Sequence, residues 1–160
     1  MKTINLQKTY KIMILNYDFS NYRSFKDKAS FSLSATASQA KSDNVFTCIH
    51  NAGEERLLKS AVIYGANASG KTSVISQLYY LREEIRSASH KFGGDGVGYV
   101  YTPFSLDSQS ADEPSTIDIE FVVNKIKYVY HVMFTKDMVL DESLCYYPNS
   151  SSKALLFSRD

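Results

Sequence analysis

Residues 65–72 read Gly-Ala-Asn-Ala-Ser-Gly-Lys-Thr, which is a complete phosphate-binding loop of the form G-x-x-x-x-G-K-[ST]. The two glycines of this pattern let the backbone curl so that successive N–H groups point at a phosphate. The lysine reaches the outer phosphates, and the threonine hydroxyl holds Mg²⁺. Such a loop needs a strand before it and a helix after it, which constrains the fold. The pattern predicts a binding site for a nucleoside triphosphate, with ATP and Mg²⁺ as the expected ligands.

The flanks of the loop have the apolar patterns that this context requires. Residues 61–64 (Ala-Val-Ile-Tyr) form a short apolar run that predicts a buried strand entering the loop. After the loop, a helix is predicted from about Gly70 to about Ala88, because apolar residues repeat at helical spacing. The positive end of that helix would point at a bound anion. The predicted buried stripe is Val74, Leu78, Leu81 and Ile85, widened by Ile75 and Tyr79.

The rest of the chain reads mostly as strands. Upstream, we predict a flexible lead-in over residues 1–10 and strands at 11–17, 29–35 and 45–49, with a turn at 21–25. Downstream, strict alternation from Ser115 predicts two strands joined at Asn124-Lys125. Two further strands are expected at 138–147 and 154–157. The predicted fold class is α/β (α+β), a P-loop NTPase core with an antiparallel β-meander beside it, and residues 11–160 belong to one domain or part of one.

Composition excludes several classes of function. The 160 residues carry 18 Lys and Arg against 17 Asp and Glu, so there is no basic excess that would itself indicate nucleic acid. Cys48 and Cys145 are isolated, which argues against a disulfide framework or a zinc site. No apolar run approaches the roughly 18 residues of a membrane span, and no signal peptide is recognisable. We therefore expect a cytoplasmic protein with no membrane partner.

Asp141 and Glu142 follow three apolar residues and imitate a Walker B strand, whose acids hold Mg²⁺ and activate water. Asp137 interrupts that run, and the pair lies in the alternating meander rather than in a fully apolar strand. An acid pair on the meander is the favoured interpretation, and a Walker B motif stays open as the alternative.

Three segments together resemble a known family: Asn21-Tyr22-Arg23-Ser24-Phe25, the phosphate loop, and Glu142-Ser143-Leu144 with Leu155-Leu156-Phe157-Ser158-Arg159. The pattern is similar to the N-terminal half of the ABC-type ATPase head of SMC, RecF and OLD-like proteins. It is closest to the AAA-family ATPase branch, many of whose members serve in anti-phage or abortive-infection systems. Asn67 at the third loop position favours this group, because loops of AAA+ proteins usually carry Pro-Gly there.

The resemblance implies roles for individual residues. The loop residues would wrap the β- and γ-phosphates, with Lys71 as the catalytic residue. Thr72 would coordinate Mg²⁺, Ser73 would add an α-phosphate contact, and Arg23 would lie near the nucleotide. The implied ATP-binding residues are Gly65, Ala66, Asn67, Ala68, Ser69, Gly70, Lys71, Thr72, Ser73 and Arg23.

The resemblance also implies parts that this chain lacks: a signature helix of the LSGGQ kind, a Walker B motif with its catalytic glutamate, and a switch histidine. The expected partners are therefore a missing C-terminal half and a second head, together enclosing ATP, with an effector nuclease or DNA as a further partner. The chain alone should bind ATP without efficient hydrolysis. The alternative is a complete small AAA+ or kinase-type NTPase that uses Asp141 and Glu142 as Walker B. An inactive scaffold is a third reading, which the intact Lys71-Thr72 disfavours.

Overall fold

The computed structural model describes residues 12–88, 100–149 and 152–160, so the predicted lead-in at 1–10 lies outside the described residues. The described chain contains β-strands, one long α-helix and a short 3₁₀ turn at Ser42–Asn44. In chain order the elements are β1 (Ile12–Ser20), β2 (Ala29–Ser32), β3 (Val45–His50), β4 (Gly53–Leu58), α1 (Lys71–Ala88), β5 (Ser115–Val123), β6 (Ile126–Phe134), β7 (Val139–Tyr146) and β8 (Ala154–Arg159).

Six of the strands form one antiparallel sheet in the order β2-β1-β5-β6-β7-β8. The predicted four-strand meander is thus confirmed as β5 to β8. Its first turn uses Asn124 and Lys125 with φ angles of 51° and 67°. Two left-handed residues in a row match the right-handed twist of a hairpin. The mixed α/β class and the antiparallel sheet are as predicted.

Helix α1 packs on one face of this sheet and encloses the main core. Leu81 is buried, and Val74 and Leu78 pack against the same cluster, as predicted. Ile85 of the predicted stripe is instead 55% exposed, and Ile75 and Tyr79, which were expected to widen it, are 62% and 53% exposed, so the prediction was wrong at these three residues. Ile75 and Tyr79 lie to one side of the buried stripe, whereas Ile85 lies on the same side of the helix as Leu81, one turn closer to the end of α1. The buried members of the core are Tyr17, Phe19, Tyr22, Leu81, Ile117, Ile119, Tyr130, Val132 and Phe134.

The β3–β4 hairpin covers the opposite face of the sheet. A bulge at Leu15 makes this possible, because the register with β5 shifts between Ile14 and Asn16. One extra residue reverses the side-chain alternation of a strand. Leu15 therefore packs with Cys48 and Leu57 of the hairpin, whereas Tyr17, two positions later, packs in the core beneath α1.

Residues 61–64 do not form the predicted buried strand. Val62 and Tyr64 are 84% and 90% exposed, and the segment has no strand assignment. A strand needs a neighbour to satisfy its backbone N–H and C=O groups, and none of the described strands pairs with this segment. The strand before the loop is instead β4, which follows a turn at residues 51–52 and forms a separate two-stranded hairpin with β3.

Candidate functional site

The predicted phosphate loop is a tight turn that leads directly into α1. Ala68 and Gly70 both have positive φ angles, 62° and 91°, and the Ser69 N–H donates to the Ala66 carbonyl at 3.3 Å. The Val74 N–H donates to the Gly70 carbonyl at 3.2 Å, which closes the first helical turn. The N–H groups before that turn have no partner within the helix. These N–H groups lie at the end of α1 that joins the loop.

Lys71 folds back over the loop. Its Nζ donates to the carbonyls of Gly65 and Ala66 at 3.0 and 2.6 Å. A Cβ on Gly65 would lie 2.8 Å from Ser69 Oγ, so a side chain at that position would displace the serine. The ammonium is thus held by neutral carbonyl oxygens, which the negatively charged oxygens of a phosphate could replace.

The first turn of α1 contains two residues with hydroxyl groups, Thr72 and Ser73, and no acidic residue. Thr72 is exposed, whereas Ser73 is 6% exposed and faces the protein interior. No acidic residue lies in this turn, so nothing on it opposes an anion. The hydroxyl of an exposed residue next to the loop is an oxygen ligand of the kind that Mg²⁺ binds in triphosphate sites.

The turn at residues 21–25 packs against the loop, a contact that the sequence pattern does not reveal. A Cβ built on Gly70 would lie 2.6 Å from Phe25 Cε2 and 3.2 Å from Ser24 Cβ. The turn itself is closed by reciprocal backbone hydrogen bonds between Tyr22 and Phe25, at 2.8 and 2.9 Å. Two of the three segments that carry the family resemblance are therefore in direct contact.

Arg23 contacts the helix that follows the loop. Its guanidinium lies 5.3 Å from the Tyr22 ring centroid and 5.8 Å from that of Tyr80, and its Nη1 is 3.4 Å from Ser76 Oγ. Burial raises the pKa of the Tyr22 hydroxyl, which remains a neutral partner of Ser76 at 3.1 Å. Arg23 is thus placed beside the second and third turns of α1.

Asn21 is the residue of this turn whose importance sequence reasoning missed. Its buried side chain donates to the carbonyls of Ser110 and Glu113 at 2.9 and 2.6 Å and accepts from the Phe104 N–H at 2.9 Å. Lys26 adds an ion pair to Asp107 at 2.6 Å, and this lysine and the Ser110 N–H lower the pKa of the aspartate. The sequence signal that could have indicated this role is an asparagine in a turn. Asn tolerates left-handed backbone, and its side-chain amide can form hydrogen bonds with backbone groups.

Asp141 and Glu142 lie within β7 of the antiparallel meander. Glu142 is 9% exposed, accepts from the Tyr130 hydroxyl at 2.5 Å and pairs with Arg159 Nε at 2.5 Å. Asp141 is half exposed on the other face of the sheet, 3.8 Å from His131 Nε2. Both acids therefore have cross-strand partners within the meander.

The residues that the structure describes carry neither a metal-binding cluster nor a membrane-spanning helix. They contain no group of three or more His, Cys, Asp or Glu side chains placed to hold a metal ion. Among the same residues, no helix has the length and hydropathy of a membrane span.

Comparison with known proteins gives one match. The family model described as "AAA domain, putative AbiEii toxin, Type IV TA system" matches residues 60–160. That range begins just before the phosphate loop and runs through β8. Comparisons with curated proteins and with solved structures returned no match.

Proposed function

Because this chain belongs to that AbiEii-type AAA domain family, we propose that it binds Mg-ATP through the loop at residues 65–72. In the proposed complex, the loop N–H groups and the start of α1 receive the phosphates. Lys71 exchanges its bonds to two loop carbonyls for the β- and γ-phosphates, and Thr72 supplies its hydroxyl to Mg²⁺. Ser73 contributes its backbone N–H near the α-phosphate.

The single observation that carries this proposal is the position of Lys71. Its ammonium is 2.6 Å from the Ala66 carbonyl, and so lies across the turn whose N–H groups would face the phosphates. Bound ATP would replace two neutral acceptors by charged ones, so that the ammonium would gain the attraction of opposite charges in addition to its hydrogen bonds.

We further propose that the module works as part of an SMC-, RecF- or OLD-like head in a defence-related ATPase. In this proposal a second head closes over the ATP, and Arg23 lies near the nucleotide on the α1 side. Glu142 is held by Tyr130 and Arg159 within the sheet. It is therefore not assigned as the base that activates water, and the described chain is expected to bind ATP with little turnover.

The test compares Lys71→Met with Lys136→Met by calorimetric titration of Mg-ATP. Met keeps the aliphatic stem and removes the charge, and Lys136 is an exposed lysine of the β6–β7 turn. Loss of the charged hydrogen bonds should cost about 1.5–3 kcal/mol, or roughly 10- to 150-fold in Kd. Lys136→Met should bind as the unmodified chain does. Equal ATP affinity for both variants would refute the proposed site.

A further inference from the structure

Gly70 is the one fully buried residue of the phosphate loop. Residues 65–69 and Thr72 are exposed, and Lys71 is half-buried. The segment that enters the loop is also exposed, with Tyr64 at 90%. The orientation of the loop relative to the sheet therefore depends largely on what holds Gly70.

The residue that holds Gly70 is Phe25. A Cβ on Gly70 would lie 2.6 and 2.8 Å from Phe25 Cε2 and Cζ, closer than real Cβ contacts allow. The ring edge therefore lies directly against the Gly70 backbone. Since Gly70 also has a φ of 91°, the position requires glycine for two independent reasons.

Phe25 is itself held by the core and by the bonds of the turn that carries it. Its ring packs edge-on against Phe19 of the core, with centroids 5.1 Å apart. The turn that carries it is tied to residues 102–113 by the buried Asn21 side chain, by the Arg23 N–H to the Thr102 carbonyl at 2.9 Å, and by the Lys26–Asp107 ion pair. Because the ring is held in one place by these contacts, it restricts where the Gly70 backbone can lie.

We propose that Phe25 is a positioning residue for the nucleotide site. It sets where the loop turns into α1, and so aims the loop N–H groups and Lys71 without touching the nucleotide. The proposal rests on the proposed function, because what it positions is the ATP site. Its structural half, that Phe25 orders the loop, can be measured in the absence of nucleotide.

The matched pair for the test is Phe25→Leu and Phe31→Leu in the full chain. Both phenylalanines are half-buried and pack against the same core cluster, but the contact to Gly70 belongs to Phe25. The measurements are amide hydrogen exchange at Ser69 and Val74, whose N–H groups donate to the Ala66 and Gly70 carbonyls, without nucleotide, and Mg-ATP affinity by calorimetry. We expect Phe25→Leu to speed loop exchange and to weaken ATP binding about tenfold. Phe31→Leu should lose comparable stability and change neither readout.

Equal loop exchange in the two variants would overturn the positioning role. If the unmodified chain failed to bind ATP, the proposed function would be refuted, while the exchange comparison would still decide whether Phe25 orders the loop.

If Phe25→Leu does not fold, a second pair of variants is compared instead: Gly70→Ala and Gly53→Ala. Both glycines have positive φ angles, but a Cβ on Gly53 meets nothing within 4 Å. Gly70→Ala should therefore lose more stability and speed exchange at the Ser69 and Val74 amides, and equal losses with unchanged exchange at these amides would refute the contact.

Discussion

The buried Asn21 side chain allows a quantitative test of how the turn beside the loop is held. Asn21→Ala removes hydrogen bonds to the Ser110 and Glu113 carbonyls and to the Phe104 N–H, at 2.9, 2.6 and 2.9 Å. The Glu113 carbonyl keeps a second donor, the Tyr101 hydroxyl at 2.7 Å. At about 1 kcal/mol for each bond, the lost network should cost about 2–3 kcal/mol of the free energy of unfolding.

A second cost comes from the backbone, because Asn21 has a φ of 48°. Alanine tolerates the left-handed region less well than asparagine, which adds about 1 kcal/mol. Asn124→Ala isolates this cost, since Asn124 has a φ of 51° in the exposed β5–β6 turn. We expect urea unfolding to give a total loss of about 3–4 kcal/mol for Asn21→Ala and about 1 kcal/mol for Asn124→Ala.

Losses within about 0.5 kcal/mol of each other would refute this reasoning, since that margin is comparable to the error of the extrapolation. Asn21 would then serve only as a residue that accepts left-handed backbone. A change in the denaturant slope of either variant would show that the denatured states differ, and the comparison would then use thermal unfolding instead.

Two further predictions concern other elements. Glu142→Gln should leave Mg-ATP affinity unchanged in calorimetry, because the Glu142 carboxylate is bonded to Tyr130 and Arg159 in the sheet. A variant that binds ATP tightly and does not hydrolyse it would instead identify Glu142 as a Walker B base. Tyr17→Phe should remove part of the loss of stability at alkaline pH, measured by urea unfolding between about pH 9 and 11. Burial raises the pKa of Tyr17 above that of the unfolded chain, so above about pH 10 the unfolded state binds fewer protons and stability falls as pH rises. An identical alkaline slope in the two proteins would contradict this cause.

The sequence predicted the elements whose pattern is local. Helix α1 and strands β5 to β8 follow from periodicities of 3.6 and 2, and the turn at Asn124-Lys125 follows from residue type. Strand β4 was missed because Glu54, Glu55 and Arg56 occupy it, and charged residues are tolerated on a hairpin whose outer side faces water. Residues 61–64 were mispredicted because an apolar run becomes a strand only when another strand pairs with it.

The contacts around the candidate site depend on tertiary structure, so local patterns could not predict them. The loop at 65–72 was recognisable because its residue types are fixed by close approach of backbone and phosphate. The packing of Phe25 on Gly70 joins residues 45 positions apart and leaves no periodic trace in the sequence. The same holds for Asn21, whose partners lie in the segment before β5.

The pairing of β1 with β5 has a consequence for how the chain is made. Asn16 bonds to Glu120 across a sequence separation of 104 residues, and the hairpin, the loop and α1 all lie between the two strands. At synthesis rates of about 5–20 residues per second, β1 would emerge from the ribosome roughly 5–20 s before its partner. During that interval β1 can pair only with β2, and its other edge stays open, so newly made chains should depend on holding chaperones until β5 appears.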